Sequence, residues 1–147
     1  MKIEFMILAD AAQAADGKLY ILGGGWSLYR SGNYPVQIQM AVGLSILIPW
    51  DEANVKHQVT IAVADAAGIP VIPEIKGQVE VAKSSDVPEG TTQKAIIAVN
   101  INMMIPRAGT YVVQSTAGTS KAETFFDAIF VGKKVEVVSG SSTERGN

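Results

Sequence analysis

The 147-residue sequence has no cysteine and a single histidine, His57. Without cysteine there are no disulfide staples, thiol nucleophiles, zinc–thiolate sites or iron–sulfur clusters. With one histidine there is no multi-histidine metal site in one chain, and a Ser-His-Asp arrangement would depend on that ring alone. No G-x-S-x-G elbow occurs. Gly23-Gly24-Gly25 precedes Trp26 rather than Lys and Ser or Thr, so it reads as a strand end or bulge and not as a phosphate cradle. Charge is also sparse, at 18% of residues and a net of -2. The twelve Lys and Arg residues are dispersed, with Lys133-Lys134 the only adjacent pair. That distribution argues against nucleic-acid and anionic-membrane partners, which need a basic field. Every apolar run is far shorter than the ~18 residues of a membrane helix. The opening Ile3–Leu8 stretch is broken by Glu4 and stops at Asp10, too short for a secretory leader. A cytoplasmic location is the expectation, with no cofactor.

What the chain does have is apolar alternation. Apolar residues make up 48%, enough for one core in one domain. From Val36 to Ile48, every second residue (Val36, Ile38, Met40, Val42, Leu44, Ile46, Ile48) is large and apolar, while Gln37, Gln39, Ala41, Gly43 and Ser45 occupy the other face. A helix would scatter these side chains around its axis; a strand puts them on one side. The same period recurs at Ile3/Phe5/Ile7, Lys18–Leu22, Val59/Ile61/Val63, Val71–Val81, Ile97–Met103, Tyr111/Val113 and Thr124–Val131. Asp16-Gly17 reads as a hairpin turn, and Ala67-Gly68, Pro88-Glu89-Gly90, Pro106–Gly109 and Ala117-Gly118-Thr119 as further turns. Leu8–Ala15 is alanine-rich, but the alternation runs into it and a strand is expected there. Pro49–Lys56 reads as a loop or single helical turn capped by Asp51. The expected fold is all-β: an antiparallel sandwich of about eight strands, immunoglobulin-like or jelly-roll-like, over residues 1–131. Residues 132–147 read as a short extension with a disordered polar tail.

Two stretches carry a resemblance. Phe5–Ala12, then Asp16-Gly17-Lys18-Leu19-Tyr20-Ile21-Leu22-Gly23-Gly24-Gly25-Trp26, and after a long strand Pro49-Trp50-Asp51-Glu52-Ala53-Asn54, together resemble a small bacterial protein family whose function is unknown. Pro106-Arg107-Ala108-Gly109-Thr110-Tyr111 adds a Pro-x-x-Gly-x-Tyr pattern similar to strand entries of immunoglobulin-like sandwiches. The resemblance spans roughly residues 1–131. It implies a β-sandwich and supplies no activity or site.

Candidate contact residues follow from position. Trp26, Tyr29, Tyr34 and Trp50 fall at strand ends or loops, where sandwiches place binding residues. Such rings stack on sugars or on partner side chains; the plainer reading is that they plug the ends of the core. In Phe125–Val131 both faces are apolar, with Phe125, Ile129 and Val131 on one and Phe126, Ala128 and Phe130 on the other. A sandwich strand has one inward face. The second set is therefore covered, with Val135–Val138 as a candidate cover, or is a self-association surface involving Phe126 and Phe130. Asp51, Glu52, Asn54 and His57 offer oxygen and imidazole donors within seven residues, but they lack the spacing and turn glycine of a Ca²⁺ loop. The expected function is thus a non-enzymatic interaction or structural domain, with a protein partner or self-association. The alternative is a small-ligand or carbohydrate-binding sandwich, and a hydrolase or metal site around Asp51, Glu52 and His57 ranks third.

Overall fold

The alternation of Val36–Ile48 becomes the strand around which the domain is built. The computed structural model describes residues 1–132. Within them run β1 (Lys2–Ala15), β2 (Lys18–Gly24), β3 (Leu28–Ser31), β4 (Val36–Ile48), β5 (His57–Asp65), β6 (Ile75–Val79), β7 (Gln93–Ile105), β8 (Gly109–Ala117) and β9 (Ser120–Phe130). A 3₁₀ turn covers Trp50–Glu52; its N-cap is Pro49, not Asp51, and no side chain caps it. The sheets have the orders β2-β1-β4-β7 and β3-β9-β8-β5-β6. Their inner faces share one core, in which Val42, Leu44 and Ile46 of β4 meet Ile61, Val63, Tyr111, Val113 and Phe126 of the second sheet. Each such large side chain contributes about 1.5–3 kcal/mol by leaving water.

This is an immunoglobulin-like arrangement. Strands β1, β4 and β7 stand where A, B and E do, and β9, β8 and β5 where G, F and C do, with β6 beyond C. The strand entry at residues 106–111 forms a tyrosine corner: the Tyr111 hydroxyl donates to the Arg107 carbonyl at 2.6 Å. Short β3 was not legible as a strand. It pairs parallel to β9, Leu28 opposite Asp127 through Ser31 opposite Phe130, and is the one parallel pairing in the described residues. The expected strand over Val71–Val81 is confined to Ile75–Val79.

A second difference lies in β1. The face shared by Ile3, Phe5 and Ile7 does not persist, because the register slips between Ile3 and Phe5. Ile3, Met6 and Leu8 therefore line the core, while Phe5 turns outward at 43% exposure. A one-residue bulge exchanges the two faces of everything beyond it.

Beyond Ala9 opposite Ala41, β1 leaves β4 and continues with β2 alone. The β1–β2 hairpin, turned at Asp16-Gly17 with both residues at positive φ, folds over the outer face of its own sheet. Leu19 and Ile21 reach down onto Gly43, and a small cluster of Ala9, Ala12 and Ala41 fills the contact. The Asn100 carboxamide of β7 accepts the Ala12 N–H at 3.4 Å and donates to the Ala12 carbonyl at 3.0 Å.

At the opposite side of the core, Asp65 closes the β5 end. Its Oδ1 accepts the N–H groups of Ala67 (3.0 Å) and Ile69 (2.9 Å), and its Oδ2 pairs with Arg107 Nη2 at 2.9 Å. The hydrogen bond from Ile69, then that from Ala67 and the Arg107 charge, hold its pKa below the ordinary 3.8. A carboxylate with a depressed folded pKa adds stability that is fully present above the unfolded value and is lost as pH falls through the folded one. The stability margin of the native chain over Asp65→Asn is thus expected to be constant near neutrality and to shrink below pH 3.8. Thermal melts of both proteins across the acid range check this. Glu4, whose pKa is lowered chiefly by the Ser45 hydroxyl and then by Lys94, is common to both and cancels in the difference.

Candidate functional site

The lift of β1 away from β4 opens a cleft. Where β1 departs, Asp10 projects beside the glycine run that ends β2, and Gln39 of β4 has no β1 neighbour. The glycines are there for space and for backbone conformation. Gly23 has φ +63°, and a Cβ on it would collide with the Asp10 carboxylate. At Gly25 (φ +85°) a Cβ would meet nothing, so this backbone borders open space. Trp26 and Tyr29 form the facing wall, and the cleft has a volume of about 440 Å³. The Trp26 ring sits edge-on against Phe126, with centroids 5.6 Å apart at 66°, and Phe126 stacks on Tyr111 at 5.4 Å. The Trp26 indole N–H is buried and has no acceptor among the described residues.

The structure brings only part of the predicted aromatic group together. Tyr34 lies behind Tyr29: burial, and then the phenols of Tyr29 and Tyr111, push its pKa up, and its hydroxyl donates to the Ile129 carbonyl at 2.7 Å. Trp50 is elsewhere. It follows Ile48, the far end of β4, which lies nine residues beyond Gln39, roughly 30 Å along an extended strand. There the Lys83 ammonium sits 5.2 Å from its ring centroid.

The β9 residues separate by parity. Phe126 is fully buried between Trp26 and Tyr111, so its expected contact with a partner gives way to a place in the core. Phe130 is in phase with that inner face but lies past the last core layer, at 63% exposure. Phe125 faces outward at 52%, opposite Val112 of β8, and the neighbouring outward positions are Ile129 and Leu28. These side chains form an apolar patch on the outer face of the five-stranded sheet. Phe125 itself was legible only as part of a doubly apolar strand. The Val135–Val138 segment expected as a cover lies outside the described residues, as does the expected tail beyond Gly132.

With that geometry in place, a family model provides the identification. The model of a family of unknown function, DUF6941, matches residues 4–123. The chain belongs to DUF6941. The match runs through both sheets and stops within β9, ahead of Phe125. No curated protein matches the chain.

In this DUF6941 domain the Asp51–His57 segment does not converge on a common point. The Glu52 carboxylate pairs with the Met1 ammonium at 2.9 Å. His57 Nε2–H donates to the Glu52 carbonyl at 2.8 Å, and Asn54 Oδ1 accepts the Lys83 N–H at 3.0 Å. Asp51 is exposed. Among the described residues no three His, Cys, Asp or Glu side chains form a metal-holding group. Among the described residues no helix is long and apolar enough to cross a membrane.

Proposed function

We propose that this domain works through protein contact and associates with a second copy of itself across the outer face of the five-stranded sheet. The observation that carries the reading is the outward row of Leu28, Phe125 and Ile129 beside Val112. Large apolar side chains grouped on a sheet face are the usual material of an interface core, and homodimer interfaces are the most apolar of these. The surroundings favour a like partner. Arg30 and Lys121 accompany Asp127 and Glu123 on the same face, so that face presents charges of both signs to a second copy. The net charge of -2 adds little long-range opposition.

Light scattering on the full chain across a dilution series is expected to give a concentration-dependent dimer. Phe125→Ser is expected to weaken it by about tenfold or more, since removing a buried Phe from an interface loses roughly 1.5–3 kcal/mol. A monomer at every concentration, or a dimer indifferent to Phe125→Ser, would overturn the reading.

A further inference from the structure

We propose that the cleft between Asp10, the Gly23–Gly25 backbone, Trp26, Tyr29 and Gln39 binds the ring of a neutral saccharide. The cleft shares Leu28 with the apolar face, whereas Asp10, Gly25 and Gln39 lie off that face, so substitutions at Asp10 and Gln39 separate the two readings.

The size comes first. At about 440 Å³ the cleft lies within the range of small-ligand sites and is open enough to take a ring at the end of a longer chain. Rigidity comes next. Trp26 is held against Phe126, and Phe126 against Tyr111, so one wall is fixed by the core before any ligand arrives. A preorganised aromatic wall suits the apolar C–H face of a sugar, and little ordering cost remains to be met on binding.

The polar groups then select among ligand classes. The one formal charge on the lining is the Asp10 carboxylate, so an anion finds no counter-charge. A small organic cation would satisfy Asp10 but would leave the donors without acceptors. Those donors are the two N–H groups of the exposed Gln39 carboxamide. A saccharide answers both needs, because each hydroxyl donates and accepts. Its vicinal hydroxyls can donate to Asp10 and accept from Gln39 in one plane. Gly25 has no side chain and borders open space, which leaves its backbone open to the ligand.

The protein has two tryptophans, so Trp50→Phe leaves Trp26 as the sole indole reporter. Fluorescence titration of this full-length variant with cellotetraose, chitotetraose and maltotetraose is expected to give a saturable change with at least one of them. In the same background, Asp10→Asn and Gln39→Ala are each expected to weaken that binding, Asp10→Asn by about tenfold because its hydrogen bonds are charge-assisted. Both positions are exposed, and unchanged thermal melts would show that the variants are folded. The proposal is overturned if none of the three saccharides gives saturation, or if binding ignores both substitutions. It is equally overturned if tetramethylammonium saturates the signal in an Asp10-dependent way while the saccharides do not. The dimer is read separately, by light scattering and Phe125→Ser.

Discussion

Phe126→Ala is expected to lower the unfolding free energy by about 3–5 kcal/mol, the range for deleting a buried aromatic ring. The ring is fully buried and is the hinge of an aromatic stack, edge-on to Trp26 and face-on to Tyr111. Its removal loses the transfer free energy of the side chain and leaves a cavity that two rings, Trp26 in the β2–β3 connection and Tyr111 on β8, cannot both relax to fill. Each aromatic pair adds roughly 0.5–1.5 kcal/mol beyond the buried area. Urea unfolding reads the effect as a fall in midpoint at nearly constant slope. The adjacent Phe125→Ala provides the control. Its side chain faces outward, so in dilute solution the change is expected to stay within about 0.5 kcal/mol. Equal losses at the two positions would mean that β9 has the opposite facing.

Gly43→Val is expected to cost about 1–3 kcal/mol, the usual penalty for forcing methyl groups into a filled space. A Cβ at this position would lie 2.9 Å from Leu19 Cδ2, 3.1 Å from Ile21 Cδ1 and 3.2 Å from Ile7 Cγ2. A lone Cβ can push flexible side-chain ends aside, but a valine cannot without lifting the β1–β2 hairpin. Hydrogen exchange is expected to rise at Ala12 and along Leu19–Ile21 while the β4–β7 ladder stays protected. Leu19→Ala in the same chain restores room, so the double variant should lose less than the sum of the two single changes. Additive losses would show that Gly43 is needed for its backbone and not for the space above it.

The sandwich was legible because its central strand is so regular: a run of seven alternate apolar residues from Val36 to Ile48 has one reading. The departures have local causes. Four residues, Leu28–Ser31, are too few to show a period, and their partner is some hundred positions away in β9. The bulge after Ile3 reverses a face with no glycine or proline to announce it. Trp26 and Tyr29 could be picked out as aromatics at strand ends, whereas Asp10 and Gln39 could not. They become neighbours of the cleft only because β1 leaves the sheet at Ala9, and alternation carries no information about that exit. A signal was nonetheless present. Ala41 and Gly43 are the small residues on the outward side of β4, and Ala9 and Ala12 are equally small on β1, the composition of two backbones in close approach. Phe125 and Phe126 were both visible as apolar, but a strand with two apolar faces does not say which one is inside.

The parallel pairing of β3 with β9 also governs when this domain can fold. Residues 28–31 wait for residues 127–130, and the Ile3 amide waits for the Ser120 hydroxyl that accepts it at 3.0 Å. Contacts so distant along the chain place the domain among slow-folding topologies, in the millisecond-to-second range. During synthesis at about 5–20 residues per second, the ~100 residues between β3 and the end of β9 take roughly 5–20 s to appear. For that time the sheet opposite β4 is incomplete, because β8 and β9, which supply Tyr111, Val113 and Phe126, come last. The core of the nascent chain thus stays open until its last strand emerges.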